Sequence, residues 1–206
     1  MMGKTHITMG IAAASVASLA TPLPMSPLIG VLAVTGGAFG GVVPDFDTKS
    51  TDYIKDALVA RIIAGVIIAL AIGLDYVFKF GMCKSIIANG KMHNIVTLVI
   101  LGVICILCII SKHREFSHSF LALILLSIVI GVIYKPLMLF FAAGFCSHLL
   151  LDLLNKKPLK LFYPLKFGMC FHLCYADEVA NKVFLYIGLA ISFIMFVVQI
   201  VLTIQS

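Results

Sequence analysis

His148 and Asp152 stand four residues apart in Ser147-His148-Leu149-Leu150-Leu151-Asp152-Leu153-Leu154. On an α-helix that spacing puts both side chains on one face, one turn apart, where they can present two ligands to one cation. The stretch is otherwise apolar, and an Asp buried there is costly unless it is paired or bound to metal. Taken alone, the pair is better read as a helix-end Asp at the lipid headgroups with a hydrogen-bonded His. Pro44-Asp45-Phe46-Asp47 sets two carboxylates two apart directly after an apolar run. Hard oxygen ligands beside imidazole nitrogens suit Zn²⁺, Mn²⁺ or Fe²⁺; the bland alternative is a solvated acidic loop. His113-Arg114-Glu115-Phe116-Ser117-His118-Ser119 is denser. Imidazoles bind metal, and Arg offers a planar fork matched to phosphate oxygens. A turn marked by Lys112 and Arg114, with Ser117 capping the next helix, would explain the Arg and the Ser but neither His.

The elements that must position these residues are membrane helices. Of 206 residues 62% are hydrophobic and 12% charged, against about 25% charged in a soluble domain. Apolar runs of about 20 residues recur, and such runs satisfy their backbone internally when they cross lipid as helices. The expected fold is all-α, a polytopic transmembrane bundle of about seven helices forming a single domain over 1–206. The predicted helices cover about 5–20, 27–43, 57–78, 94–111, 118–134, 137–154 and 183–204. Turns fall at Thr21-Pro22-Leu23-Pro24 and Lys135-Pro136, and a polar loop carries Lys79, Lys84 and Lys91. Lys4 followed by Ile7–Ala20 has the outline of a signal peptide, but a retained span is preferred because His6 joins the pattern below. Gly36-Gly37 and Gly40-Gly41 should bend the second helix or let a neighbour approach closely.

Alternating the chain across the bilayer sorts its charge. One side receives the N-terminus, 44–56, Arg61, 112–117 and 155–182, with eleven Lys and Arg; the other receives four, Lys79, Lys84, Lys91 and Lys135. The positive-inside rule makes the first side cytoplasmic and puts the C-terminus outside. The same threading brings His6, Asp45, Asp47, His113, His118, His148 and Asp152 to that one face. Five of the six His fall there, with His93 opposite. Each motif is weak by itself, but their convergence reads as a metal centre.

Other classes fit less well. A net charge of +6 raises nucleic acid as a partner in a soluble protein. Here the basic residues lie between apolar runs, where they set topology and meet anionic headgroups; no nucleic-acid partner is expected. Six Cys show no disulfide framework. Cys105 and Cys108 read as small core residues, and Cys170-Phe171-His172-Leu173-Cys174 as ordinary packing with a small Cys/His site as its alternative.

These motifs make the sequence recognisable. It resembles the YdjM-like family of membrane-bound metal-dependent hydrolases, the LexA-regulated inner-membrane protein type. The family's features are a His near the N-terminus followed by Gly, here Lys4 to Gly10; Pro-Asp-x-Asp, here Pro44 to Asp47; His-Arg-x-x-Thr/Ser-His-Ser, here His113 to Ser119; and Gly-x-x-Ser-His-x-x-x-Asp, here Gly144 to Asp152. A Glu near the last helix recurs, with Glu178 the best match. Thr48 stands where the family usually has a His or another polar residue after Pro-Asp-x-Asp. The order of His and Asp is also similar to that of zinc-dependent phospholipase C enzymes, an analogy of ligand order only.

The resemblance implies a metal-dependent hydrolase of the inner membrane, and the apolar runs and charge sorting make it cross that membrane several times with its site on the cytoplasmic side. It would hold one to three divalent ions, zinc first, with manganese or iron as alternatives. Its ligands would be His6, Asp45, Asp47, His113, His118, His148 and Asp152. Arg114 would grip a phosphate, and Asp47 or Glu178 would take a proton. A site at headgroup depth favours a phospholipid or another membrane-borne phosphoester as substrate. The competing expectations are an ion transporter and a structural membrane protein. Spans such as Ile62–Ala71 and Leu121–Gly131 carry almost no polar side chains, which disfavours a transport path.

Overall fold

The structure is a computed structural model describing residues 2–22, 24–47, 54–88, 91–111, 114–173 and 179–205, with side chains described for all of these except 47, 54, 56–57, 91–94 and 109. Its helices are α1 (Gly3–Ala17), α2 (Pro27–Val42), α3 (Ile54–Phe78), α4 (Met82–Ala88), α5 (Lys91–Ile110), α6 (Phe120–Ile133), α7 (Leu137–Leu153) and α8 (Val179–Gln205). Short 3₁₀ turns follow α1 and α2, at Ser18–Ala20 and Val43–Asp47, and one precedes α6 at Phe116–His118. The fold is the expected all-α bundle. Three stretches among the described residues are long and apolar enough to cross a membrane alone: Pro27–Phe46, Leu58–Phe78 and Val179–Gln205. Shorter apolar helices run over Ile95–Cys108, Phe120–Ile133 and Leu137–Leu153.

Two sequence expectations are corrected. The loop after α3 contains the short helix α4. Asp75, on the penultimate turn of α3, is buried and accepts the backbone N–H groups of Met82 at 2.8 Å and Cys83 at 2.9 Å. It thus caps α4 across the turn, satisfying two N–H groups that a helix start leaves orphaned. Nor does Ser117 cap α6. Ser119 is the N-cap, its Oγ accepting the Ala122 N–H at 3.2 Å.

At the centre α1, α2 and α7 pack backbone to backbone. A Cβ on Gly10 would collide with the carbonyl of Gly37, one on Gly144 with the same carbonyl, and one on Gly41 with the carbonyl of His6. The glycine pairs of α2 therefore serve close approach, as small residues do where membrane helices meet. Phe140, Phe141 and Phe145 of α7 are fully buried, Phe140 in one cluster with Ala14 of α1 and Ala33 of α2. Because α1 lies inside this packing, it is an integral strut of the bundle. The outer helices α3, α5 and α8 instead expose long apolar side chains such as Ile62, Leu70, Leu98, Val99, Phe193 and Ile194. An apolar surface this extensive is stable in lipid and not in water.

Candidate metal centre

The glycine contacts set the depth at which the site residues meet. Gly41 touches α1 at His6, so the first turn of α1 lies beside the last turn of α2. The Val43–Asp47 turn continues α2 and carries Asp45 to the same level. α7 brings His148 and Asp152 up from below, and the Phe116–His118 turn hangs His118 over them. His6, His118, His148 and Asp152 are all at most 2% exposed.

Their ligand atoms converge. Asp152 Oδ1 lies 3.4 Å from His6 Nε2, and Asp152 Oδ2 lies 3.6 Å from His118 Nε2 and 3.9 Å from His148 Nε2. Asp45 Oδ1 lies 3.5 Å from His118 Nε2 and 3.9 Å from His148 Nε2. Two overlapping sets of three, His6–His148–Asp152 and Asp45–His118–His148, each keep their ligand atoms within 4.8 Å of one another. The rings pack as well: His6 stacks on His148 with centroids 3.8 Å apart.

Proton bookkeeping makes these side chains look like ligands. His148 Nδ1 is 2.8 Å from the carbonyl oxygen of Gly41. A carbonyl only accepts, so the proton of a neutral His148 sits on Nδ1 and its Nε2 carries a bare lone pair. That lone pair faces His118 Nε2 at 3.2 Å. His118 Nδ1 is held by Ser117 Oγ at 2.9 Å. Both rings thus have an outer partner that fixes their orientation, the arrangement usual for metal-ligating His. In His6 both ring nitrogens are buried without a hydrogen bond. Leaving one buried polar group unpaired costs about 1–3 kcal/mol, and a cation among these atoms would remove that cost.

A divalent ion fits the donor set. A tetrahedral site with bonds of about 2.1 Å keeps its ligand atoms about 3.4 Å apart; the nearest pairs here lie 3.2 to 3.9 Å apart, and each set of three stays within 4.8 Å. Three imidazoles with two carboxylates suit zinc, manganese or iron.

Arg114 closes one side. Its NH2 lies 3.4 Å from Asp152 Oδ2, and its NH1 donates to the carbonyl of Lys157 at 2.7 Å. The backbone at Arg114 has φ +70°, an uncommon conformation for a non-glycine residue. Its carbonyl is held there by the Lys160 N–H at 3.1 Å. The two most exposed members of the site are Asp45, 18%, and Arg114, 13%. Of the cluster, these two side chains are the nearest to solvent.

Of the sequence-derived candidates, His6, Asp45, Arg114, His118, His148 and Asp152 are brought together. His113 and Glu178, and the side chain of Asp47, lie outside the described residues. His172 is exposed on the loop before α8, with both ring nitrogens near Cys170 Sγ, at 3.3 and 3.4 Å.

Three supporting residues escaped the sequence reading. Asn181, near the start of α8, accepts from the Thr5 hydroxyl at 2.8 Å and the Met2 N–H at 3.0 Å. It pins the turn that carries His6. Arg61 NH2 donates to the carbonyls of Asp45 and Phe46 at 3.1 and 3.2 Å, holding the turn that carries Asp45. It read as a topology marker, yet an Arg inside an apolar helix is expensive enough to signal a partner. Ser117 orients His118, a role its cap-like position hid.

No curated protein and no solved structure matches the chain. The family model described as YdjM inner membrane protein matches residues 1–205, and with the bundle and its buried His/Asp cluster in view, the chain belongs to that family.

Proposed function

We propose that the chain is a membrane-embedded, metal-dependent hydrolase of phosphoesters, with His6, Asp45, His118, His148 and Asp152 holding the ion. The observation that carries this reading is the buried convergence of five ligand side chains in which His6 has no hydrogen bond at either nitrogen. A divalent ion supplies, when bound, Lewis acidity and access to hydroxide at neutral pH.

The chain's own residues do the rest. Gly41 and Ser117 keep the His148 and His118 rings aimed inward. Asp152 ties the ligand set to Arg114. Arg114 retains further N–H donors of its five and is partly exposed beside the cluster, where it would bind a phosphate and stabilise charge developing on it. Asp47 or Glu178 is assigned to take the proton. His6, His118, His148 and Asp152 are at most 2% exposed, and such burial strengthens each of these contacts.

The test uses the full chain purified in detergent. Metal analysis is expected to find at least one divalent ion per chain, with zinc foremost. Turnover on a panel of phospholipids and simple phosphoesters should vanish on chelation and return when the ion is restored. Bound metal without turnover on any member of the panel would leave the cluster as a clasp between helices.

The same reading places the chain across the inner membrane several times, with the cluster on the cytoplasmic side, because the basic loops gather there. In a background lacking native cysteines, Cys at Lys157 should react with an impermeant reagent only after the membrane is opened. Cys at Lys135 should react in intact cells. Labelling of Lys157→Cys from outside would reverse the orientation.

A further inference from the structure

The loop between α7 and α8 folds into a hairpin that the metal centre does not use up. Leu159 and Met169 pair antiparallel, with N–H···O distances of 2.9 and 2.8 Å in the two directions. Leu159 and Leu161 turn inward and are buried in the bundle core. The outward side chains are apolar and exposed: Phe162 47%, Leu165 56%, Phe167 52%, Phe171 57% and Leu173 71%. Phe162 stacks on Phe167 with centroids 5.8 Å apart, so the outer face is an ordered aromatic surface.

The same segment is strongly basic. Residues 156–173 hold Lys156, Lys157, Lys160 and Lys166 and no Asp or Glu. Glu115 pairs with Lys160 at 2.5 Å. Lys157 and Lys166 are exposed beside the apolar side chains.

Placement decides what such a surface meets. The hairpin is anchored to the end of α7, where the N–H groups of Phe171 and Leu173 donate to the carbonyls of Leu153 and Leu154 at 2.7 and 3.1 Å. It leads to α8, which is long and apolar enough to span a bilayer. Aromatic and basic side chains at the end of a membrane helix favour the headgroup layer. Exposed lysines there draw anionic lipid, each by about fivefold. A soluble acidic partner would match the charge but leave the apolar face in water.

We propose that the 156–173 hairpin is an interfacial element that gathers anionic phospholipid headgroups beside the metal-ligand cluster. It is fastened to that cluster through the Arg114–Lys157 and Arg114–Lys160 hydrogen bonds. The inference deepens the proposed function by naming the charge class of its lipid. It rests on that reading for the use of the lipid, and on the hairpin alone for its capture.

The chain has no Trp, so Phe167→Trp gives a single tryptophan, excited selectively over the tyrosines, in the full chain reconstituted in lipid nanodiscs. Its emission should resist aqueous iodide and be quenched by phospholipid brominated near the headgroup end of the acyl chain. At equal mole fraction in phosphatidylcholine discs, brominated phosphatidylglycerol should quench several-fold more than brominated phosphatidylcholine. Adding Lys157→Gln and Lys166→Gln should bring the two to parity. Inorganic phosphate at millimolar concentration should leave the preference intact; its loss would point to a free-phosphate site and overturn the proposal. Quenching by iodide, protection from both quenchers as under a protein partner, or an anionic preference that survives the Lys substitutions would overturn it too. None of these readings requires turnover, so failure of the hydrolase assignment and failure of the hairpin assignment are told apart.

Discussion

Replacing His148 with Ala is expected to strip the divalent ion from the purified protein, weakening its retention by more than about 100-fold. Loss of an outer partner of a metal ligand already costs about 10- to 100-fold, and His148 is placed to be a ligand itself. It is the residue common to both ligand sets. Removing the ring also leaves the Gly41 carbonyl without its donor and His6 without the ring stacked on it. A buried cavity and an unpaired carbonyl each cost stability, so a drop in metal content alone would not separate coordination from unfolding. Asp152→Asn makes that separation. It keeps the shape of the side chain and its place in α7 while removing the negative charge. It too should lose the ion, with an elution profile and melting temperature close to wild type measured without metal. His93→Ala is the control. His93 lies near the start of α5, whose other end leads towards the site. Metal content measured by elemental analysis should be unchanged in that variant, and equal content in all three would sink the metal centre.

How much of this was legible beforehand follows from where the information lies. Helices α2 and α7 were predicted to within a residue, over 27–43 and 137–154 against Pro27–Val42 and Leu137–Leu153. Each starts at or just after a proline, and each is dominated by apolar residues, with Thr35 in α2 and Ser147, His148 and Asp152 in α7 as the polar exceptions. α4 was missed because seven residues carrying Lys84 and Ser85 make no apolar stripe, and the group that caps it, Asp75, belongs to another helix. The site was legible for a reason particular to membranes. A bilayer confines each helix end to one of two planes, so alternation along the chain assigned His6, Asp45, His118, His148 and Asp152 to one face before any contact was known. Their orientation was not legible. It depends on a backbone carbonyl at Gly41, an amide side chain at Asn181 and a guanidinium at Arg61, and none of these pairings leaves a periodic mark in the sequence. The glycine pairs were visible, but their purpose needed the neighbours: only with α1 alongside does Gly37 become a point where a Cβ would strike the backbone of Gly10 and the side chain of Ala14.

Arg114→Lys is expected to keep the metal and lose about 100- to 1000-fold in turnover, the cost typical of removing one donor to developing negative charge. A guanidinium that stays protonated offers only donors, so Arg114 cannot coordinate the ion, and metal content should not move. In the structure Arg114 reaches two places at once, Asp152 Oδ2 with NH2 and the Lys157 carbonyl with NH1. A lysine ammonium is a single point of charge on a flexible stem. It can approach Asp152 or Lys157, but it cannot hold both while presenting a fork to a phosphate. If Arg114 acts on the reacting phosphate, the loss falls mainly in kcat, because the contact strengthens as charge develops. If it only positions Asp152, metal affinity falls with activity and added ion restores turnover. If it merely marks the cytoplasmic turn, Lys serves equally, since the positive-inside rule treats the two alike. Turnover at saturating metal, measured together with metal affinity in wild type and variant, separates the three outcomes, and near-normal kcat at unchanged affinity removes Arg114 from the chemistry.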